Sequence, residues 1–196
     1  MLAIHRLLDR QPLESGEVDA FLGAHGSPLV EGSSVTFLYR GEASALRLQH
    51  FLYGLPTLEP FVRVEGSDLW YLVLELPRAS RLEYRLEVTR GDAVQTILDP
   101  LNPRKALDPG GETSVCHGAG YRAPAWLEPD PRALGGSIRS LELESEAFQD
   151  VRRVRVYVPA RFRETRRYPL LIVHDGADFL HYAELAGVLD TLFLRH

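Results

Sequence analysis

Four side chains with metal-binding or acid–base capacity lie close together in the sequence: His174, Asp175, Asp178 and His181, spaced H-D-x-x-D-x-x-H. Imidazole nitrogens and carboxylate oxygens are ligands for zinc and related metals, so the spacing is compatible with a metal site. The alternative is that His174 and Asp175 shape the turn after a strand while His181 lies on the surface. Because strand-end geometry already accounts for the motif, we expect no metal and no other cofactor.

Nucleophilic catalysis would need a serine or cysteine within hydrogen-bond reach of a base. Cys116 and His117 are adjacent in the sequence, and adjacent side chains rarely face each other productively. Ser137 has a glycine two residues before it but Arg139 two residues after it, so it does not complete the G-x-S-x-G pattern of a hydrolase nucleophile. No serine in the sequence has glycine at both positions. We therefore assign no catalytic residue.

Two further groups could recognise a ligand. Arginines concentrated in residues 152–167 could attract an anionic substrate, but such a run is more often a solvated strand face beside acidic residues, here 142–150. Trp70, Tyr71 and Tyr84 could stack on a sugar or an aromatic ligand, but their alternating positions favour core packing for Trp70 and Tyr84. Neither group identifies a ligand by itself.

The elements that must position these residues begin with a region of period-two hydrophobicity. Leu82, Tyr84 and Leu86 alternate with charged residues, which is typical of a strand with one buried and one wet face. The same alternation predicts strands at 34–40, 46–50, 68–76, 81–89 and 93–98. Short strands separated by turn residues predict a small β-sandwich. Residues 1–32 precede it as a weakly helical segment.

Residues 101–136 are rich in proline and glycine, with five prolines. Proline removes a ladder donor and glycine is entropically costly to order, so this stretch is predicted to be a linker. Trp126 is the exception within it, because so large an aromatic residue usually docks on a neighbouring domain.

Strands resume at 138–143 and 151–158. The run Tyr168–Val173 is apolar on both faces, which predicts a central strand covered by helices, and Tyr182–Leu194 reads as an amphipathic helix. This second region therefore changes from a β pattern to an α/β pattern at Tyr168.

Composition excludes several classes of protein. The 196 residues have a net charge of −5, which argues against nucleic acid as a partner. No run approaches the roughly 20 apolar residues of a membrane span. Arg6, Asp9 and Arg10 interrupt the apolar core that a signal peptide would need. The single cysteine fits a reducing compartment, so a cytoplasmic location is expected.

Several segments together resemble the enterochelin (ferric enterobactin) esterase family of esterase-D-type α/β-hydrolases. The hydrolase-like segments are, in order, Arg155–Pro159, Tyr168–Gly176 and Val188–Asp190. The preceding half resembles the immunoglobulin-like early-set domain of that family through Val35–Gly41, Asp68–Trp70, Leu82–Tyr84 and Asp99–Pro103. The resemblance thus covers most of the chain from about Val35.

The resemblance implies hydrolysis of an ester small molecule, such as a siderophore, by a serine nucleophile with a histidine base. It also implies an oxyanion-hole donor in the loop His174–Ala177, with Gly176 and Ala177 as candidates. Glycine at 176 would let the backbone turn sharply toward the substrate carbonyl.

The sequence departs from the family because it lacks the nucleophile and the late histidine. We therefore expect a mixed fold class and an incomplete enzyme that is inactive as the isolated chain. The expected domains are 1–32, an N-terminal segment; 33–100, the immunoglobulin-like sandwich; 101–136, the linker; and 137–196, the N-terminal portion of an α/β-hydrolase.

An incomplete hydrolase sheet would leave Leu170–Val173 at an unpaired edge. This predicts either an oligomer or a complementing C-terminal hydrolase half. The alternative function is a non-catalytic module whose β-sandwich binds a glycan or another ligand.

Overall fold

The computed structural model describes residues 1–10, 12–52 and 54–194. The chain divides into two compact units, Met1–Arg122 and Ala123–His196.

The first unit begins with two helices, α1 (Ala3–Leu8) and α2 (Ser15–His25). A capping box starts α2, in which the Glu14 N–H donates to the Glu17 carboxylate at 3.1 Å. Gly26 follows α2 at φ 68°, a conformation that favours glycine. The weakly helical N-terminal segment is thus a pair of ordered helices.

Strands occupy most of the rest of this unit. In chain order they are β1 (Leu29–Glu31), β2 (Ser34–Arg40), β3 (Ala45–Gln49), β4 (Leu58–Pro60), β5 (Val62–Arg63), β6 (Leu69–Glu75), β7 (Arg81–Arg90), β8 (Ala93–Ile97), β9 (Lys105–Asp108) and β10 (Gly111–His117). One antiparallel sheet has the order β1-β2-β6-β5; the other has the order β4-β3-β7-β10-β9, with β8 also paired to β7. The predicted strands of the first half are all present.

The two sheets face each other across a hydrophobic core. Phe37 of β2 and Tyr84 of β7 meet edge to face within it, with ring centroids 5.0 Å apart. The opposite face of the first sheet is buried as well, because Leu38 and Leu69 pack with residues of α1 and α2. The expectation of one wet face is therefore wrong for β2 and β6.

The predicted linker at 101–136 also differs from the structure. Residues 105–117 form β9 and β10, and β10 lies between β7 and β9 in the second sheet. Cys116 of β10 belongs to the hydrophobic core. The prolines lie outside the two strands, and the one glycine within them, Gly111, is the first residue of β10, so composition averaged over the segment concealed the strands.

A cluster of buried polar side chains, called here the Asp99 cluster, joins the turn after β8 to the second sheet. The Tyr84 hydroxyl donates to the Asp99 carboxylate at 2.6 Å, and the Asn102 amide donates to the Tyr84 oxygen at 3.0 Å. The Asp99 N–H donates to the Ser114 hydroxyl at 2.9 Å. Burial raises the pKa of both Tyr84 and Asp99. Tyr84, Asp99, Asn102 and Ser114 therefore all have hydrogen-bond partners within this cluster, as burial requires.

The second unit contains an antiparallel pair, β11 (Ser137–Ser145) and β12 (Asp150–Val158), followed by α3 (Gly176–Tyr182) and α4 (Leu185–Leu194). Leu141 pairs with Val154, so their side chains share one face with Leu143. These three side chains are 39–50% exposed. The predicted strands are present, but the apolar face of the pair is open.

The predicted central strand at Tyr168–Val173 does not form. Leu170, Leu171 and Ile172 are 85%, 65% and 72% exposed. An extended segment becomes a strand only when a neighbour accepts its hydrogen bonds, and no strand among the described residues pairs with this one. The predicted helix at Tyr182–Leu194 is also different, since α3 ends at Tyr182 and α4 begins at Leu185. Trp126 lies in a short 3₁₀ turn, Ala125–Leu127.

None of the helices in the described ranges is long and apolar enough to cross a bilayer.

Candidate functional site

The candidate oxyanion donors lie at the start of α3, directly after the turn that follows the unpaired segment. Asp175 has a left-handed conformation at φ 52°, and Gly176 and Ala177 are the first residues of α3. The Asp178 and Phe179 N–H groups both donate to the Asp175 carbonyl, at 2.9 and 3.2 Å. The N–H groups of Gly176 and Ala177 precede these bonds and have no acceptor within the helix.

The sharp turn lies one residue earlier than the sequence predicted. Asp175, not Gly176, adopts the positive φ. Aspartate tolerates this conformation better than most residues because its short polar side chain can bond locally. A Cβ built on Gly176 meets no atom within 4 Å. Space and conformation therefore do not require glycine at 176.

The residues of the H-D-x-x-D-x-x-H motif are dispersed over this turn and helix. His174 and Asp175 are exposed in the turn. They were predicted to shape the end of a strand, but neither that strand nor its end forms. His181, in α3, lies edge to face with Tyr182 at 4.6 Å. Within residues 1–10, 12–52 and 54–194, no three His, Cys, Asp or Glu side chains are arranged to hold a metal ion.

Ser137 stands at the start of β11, where it pairs with Val158. A hydrolase nucleophile instead occupies a tight turn between a strand and a helix. The glycine before Ser137 has a packing role, because a Cβ on Gly136 would lie 2.6 Å from the Tyr157 ring. The backbone of the Gly135–Arg139 segment therefore packs against the Tyr157 ring, and the segment does not form a nucleophile elbow.

Asp190 of α4 joins three segments of the second unit, a role that sequence reasoning missed. Its Oδ1 atom accepts hydrogen bonds from the Gly136 N–H and from the Tyr157 hydroxyl, both at 2.7 Å. Burial and the neighbouring carboxylate raise the pKa of Tyr157. The one signal in the sequence was the place of Asp190 in the Val188–Asp190 segment of the family resemblance.

Cys116 and His117 cannot act as a pair. Cys116 is buried in the core, and burial raises the pKa of its thiol to about 11. His117 follows it on the strand and therefore points to the opposite face, where its ring lies 4.2 Å from that of Tyr121. Desolvation, Arg104 and Arg81 lower the pKa of His117.

Two arginines of residues 152–167 lie on a solvated strand beside acidic residues, as the second interpretation of this run predicted. Arg153 pairs with Glu142 at 3.1 Å across the two strands, and Arg152 pairs with Asp150 at 2.8 Å. All four side chains are at least 49% exposed. Ion pairing with the acidic stretch accounts for these two arginines.

The aromatic residues considered for stacking on a ligand are in or against the cores. Trp70 and Tyr84 belong to the core between the sheets, and the Trp70 indole N–H donates to the Gly41 carbonyl at 3.2 Å. Tyr71 packs against the core under the helices. The prediction of core packing for Trp70 and Tyr84 is confirmed.

Comparison with known proteins adds evidence about the fold. No protein-family model matches the chain, and a search of curated proteins gave no significant match. Among solved structures, ferric enterobactin esterase from Salmonella typhimurium is similar, with 18% identity and a TM-score of 0.59 over 83% of this chain and 50% of that one. Enterochelin esterase from Shigella flexneri gives 21% identity and a TM-score of 0.53 over 94% of this chain and 55% of that one.

This chain shares its fold with about half of an enterobactin esterase. A third structure supports the same likeness: an enterobactin esterase from Shigella flexneri in the presence of enterobactin, with 21% identity and a TM-score of 0.54 over 83% of this chain and 49% of that one. The resemblance to enterochelin esterases seen in the sequence is confirmed at the level of fold. The chain spans about half the length of these enterobactin esterases.

Proposed function

We propose that this chain is the N-terminal portion of a carboxylic ester hydrolase that uses a serine nucleophile and acts on a siderophore or a similar acyl ester. The observation that supports this most is the common fold with enterobactin esterases over 83–94% of the chain. The sandwich of the first unit, which contains residues 33–100 and the hairpin of β9 and β10, would then be an immunoglobulin-like early-set domain, and residues 137–196 would be the start of an α/β-hydrolase. The single cysteine is in keeping with a cytoplasmic location.

Under this proposal the turn at Asp175 supplies part of the oxyanion hole. The N–H groups of Gly176 and Ala177 at the first turn of α3 would stabilise the charge that develops on the substrate carbonyl oxygen. The second donor, the nucleophile and the base would come from sequence beyond residue 196 or from a second chain. Removing one oxyanion donor typically costs about 10²–10³ in kcat, and removing the triad costs on the order of 10⁶. The isolated chain should therefore be inactive.

The open apolar face of the second unit supports the proposal that further hydrolase sequence packs here. Leu141, Leu143 and Val154 share one exposed face of the strand pair. The unpaired residues 170–172 have the apolar character of a buried parallel strand. A complementing hydrolase half would cover this face and pair with residues 170–173. A second copy of the chain is the other expected occupant.

The first experiment tests the chain alone. Purified protein is incubated with a fluorogenic acyl ester and with a serine-directed phosphonate probe. We expect no turnover above background and no labelled serine. Stoichiometric labelling of any serine, Ser137 above all, would contradict the proposal.

The second experiment extends the chain by the sequence that its reading frame encodes beyond residue 196. We expect this extension to contain a G-x-S-x-G motif and the longer protein to hydrolyse the ester. Substitution of that serine by alanine should abolish turnover. An extended protein without such a motif, or with turnover that survives the substitution, would overturn the assignment.

The glycan-binding alternative gains no support from the aromatic residues that suggested it, since Trp70 and Tyr84 are buried. Saturable glycan binding by the chain without ester turnover would favour that alternative.

A further inference from the structure

A cleft of about 310 Å³ lies between α1 and α2 in the first unit. Its floor is apolar, with Ala3 and Leu7 from α1 and Ala20 and Phe21 from α2. Ala3 and Leu7 are four residues apart, so they lie on one face of their helix, while Ala20 and Phe21 are adjacent along the cleft side of α2. The volume is at the lower end of the roughly 300–1,000 Å³ typical of small-molecule sites.

The walls of this cleft are fixed to the sheet beneath them. The Ala3 N–H donates to both oxygens of the Glu31 carboxylate, at 3.1 and 3.0 Å. Arg40 of β2 binds Asp19 and donates to the Ser15 hydroxyl, which attaches α2 to the sheet. The cleft is therefore a preformed feature, and a ligand would not have to order its walls on binding.

The rim of the cleft has excess positive charge. The guanidinium groups of Arg6 and Arg10 line it, against the single carboxylate of Glu17. That carboxylate already accepts the Glu14 N–H in the capping box. Across residues 1–10, 12–52 and 54–194, the Arg10 guanidinium forms no ion pair. A cation without a carboxylate partner at the edge of an apolar floor is complementary to an anion that has an apolar body.

We propose that the cleft between α1 and α2 binds a small organic anion whose charged group meets Arg6 and Arg10 and whose apolar body lies on Leu7 and Phe21. An aryl carboxylate, with benzoate as the simplest example, has this chemistry. Inorganic phosphate has the charge without the apolar body, and an aryl amide has the body without the charge. The two properties can therefore be tested separately.

The test is a titration of the full chain with 4-fluorobenzoate, followed by fluorine NMR. We expect saturable binding of 4-fluorobenzoate and at least tenfold weaker binding of the neutral isostere 4-fluorobenzamide. Inorganic phosphate should not displace the benzoate at equal concentration. Absence of saturable binding, equal binding of the amide, or displacement by phosphate would each overturn the proposal.

Two pairs of variants locate the site. Ala20→Phe fills the cleft with a ring and should weaken binding at least tenfold, whereas Ala93→Phe puts the same ring on an exposed position of β8 away from the cleft and should leave binding unchanged. Arg10→Gln should weaken binding about threefold, the usual scale of an exposed ion pair. Arg122→Gln removes an equal charge elsewhere and should have no effect. Equal effects of Ala20→Phe and Ala93→Phe would show that binding occurs outside the cleft.

Discussion

The sheets of the first unit have partners on their apolar faces, whereas the strand pair of the second unit has an apolar face in contact with solvent. Phe37 is fully buried between two sheets, and Leu38, next to it on β2, is fully buried under the helices. Leu141 and Leu143, on β11, are about half exposed. Both regions show the same alternating sequence pattern, so the pattern does not indicate whether another layer of the protein packs on the strands.

This difference shows what a sheet needs besides alternation. Two antiparallel strands alone are marginally stable in water, and a further strand or a covering layer is needed for independent stability. In the first unit the second sheet and two helices supply that layer. In the described part of the second unit no such layer covers the strand pair. A local contact holds one end of the pair instead, because the Asp190 carboxylate accepts hydrogen bonds from Gly136 and Tyr157.

The largest expected effect is in the covered region. Phe37→Ala should lower the free energy of unfolding by roughly 3–5 kcal/mol, because it removes a fully buried ring and leaves a cavity. The measurement is urea unfolding followed by Trp70 fluorescence in a Trp126→Phe background, so that the signal comes from the first unit. Phe51→Ala is the matched control, since Phe51 is 85% exposed and should change stability by less than about 0.5 kcal/mol. Similar losses for the two variants would break the comparison.

A second pair of variants tests the contact between Gly136 and Tyr157 in the open region. Gly136→Ala places a Cβ 2.6 Å from the Tyr157 ring and should destabilise the unit by about 1–3 kcal/mol. Amide hydrogen exchange in β11 and β12 should become about tenfold faster or more. Gly187→Ala, where a Cβ meets nothing within 4 Å, should leave exchange unchanged or slow it, because alanine favours the helix. Unchanged exchange in Gly136→Ala would mean that the backbone at 136 does not pack against the Tyr157 ring.

The Asp99 cluster predicts a pH dependence in the covered region. Burial raises the pKa of Asp99, so the native state binds more protons than the unfolded state between the two pKa values. The stabilising contribution is therefore complete below the unfolded-state pKa and is lost as the pH rises through the native pKa.

Asp99→Asn should remove this contribution, so the unfolding free energies of wild type and variant should diverge with pH. Chemical unfolding between pH 4 and 9 measures the difference, and Asp92→Asn, at an exposed site, is the control. Parallel pH profiles for wild type and Asp99→Asn would contradict this assignment.

The smallest expected effect is at the unpaired segment. Leu170→Ser should change the unfolding free energy by less than about 0.5 kcal/mol, because Leu170 is 85% exposed and makes little apolar contact. The same change should reduce binding of a fluorescent dye that reports exposed apolar surface. A loss of more than about 1 kcal/mol would show that Leu170 is packed, and the contrast between the two regions would then fail.

Local alternation allowed the sequence to predict five strands of the first unit, β2, β3, β6, β7 and β8, and the two strands β11 and β12 of the second unit. The alternation at Leu82, Tyr84 and Leu86 involves only residues that are close in the sequence. It can therefore be recognised without knowing which element covers the strand. The order of segments also led to the family resemblance, which the shared fold supports.

Long-range contacts were decided only by the tertiary structure. Asp190 meets Gly136 across 54 residues, and the Asp99 cluster joins positions that are separated by turns rather than by periodicity. Tyr168–Val173 has the composition of a central strand but no neighbour among the described residues to pair with it. Strand formation and burial both depend on a second segment, and no local sequence pattern indicates where that segment lies.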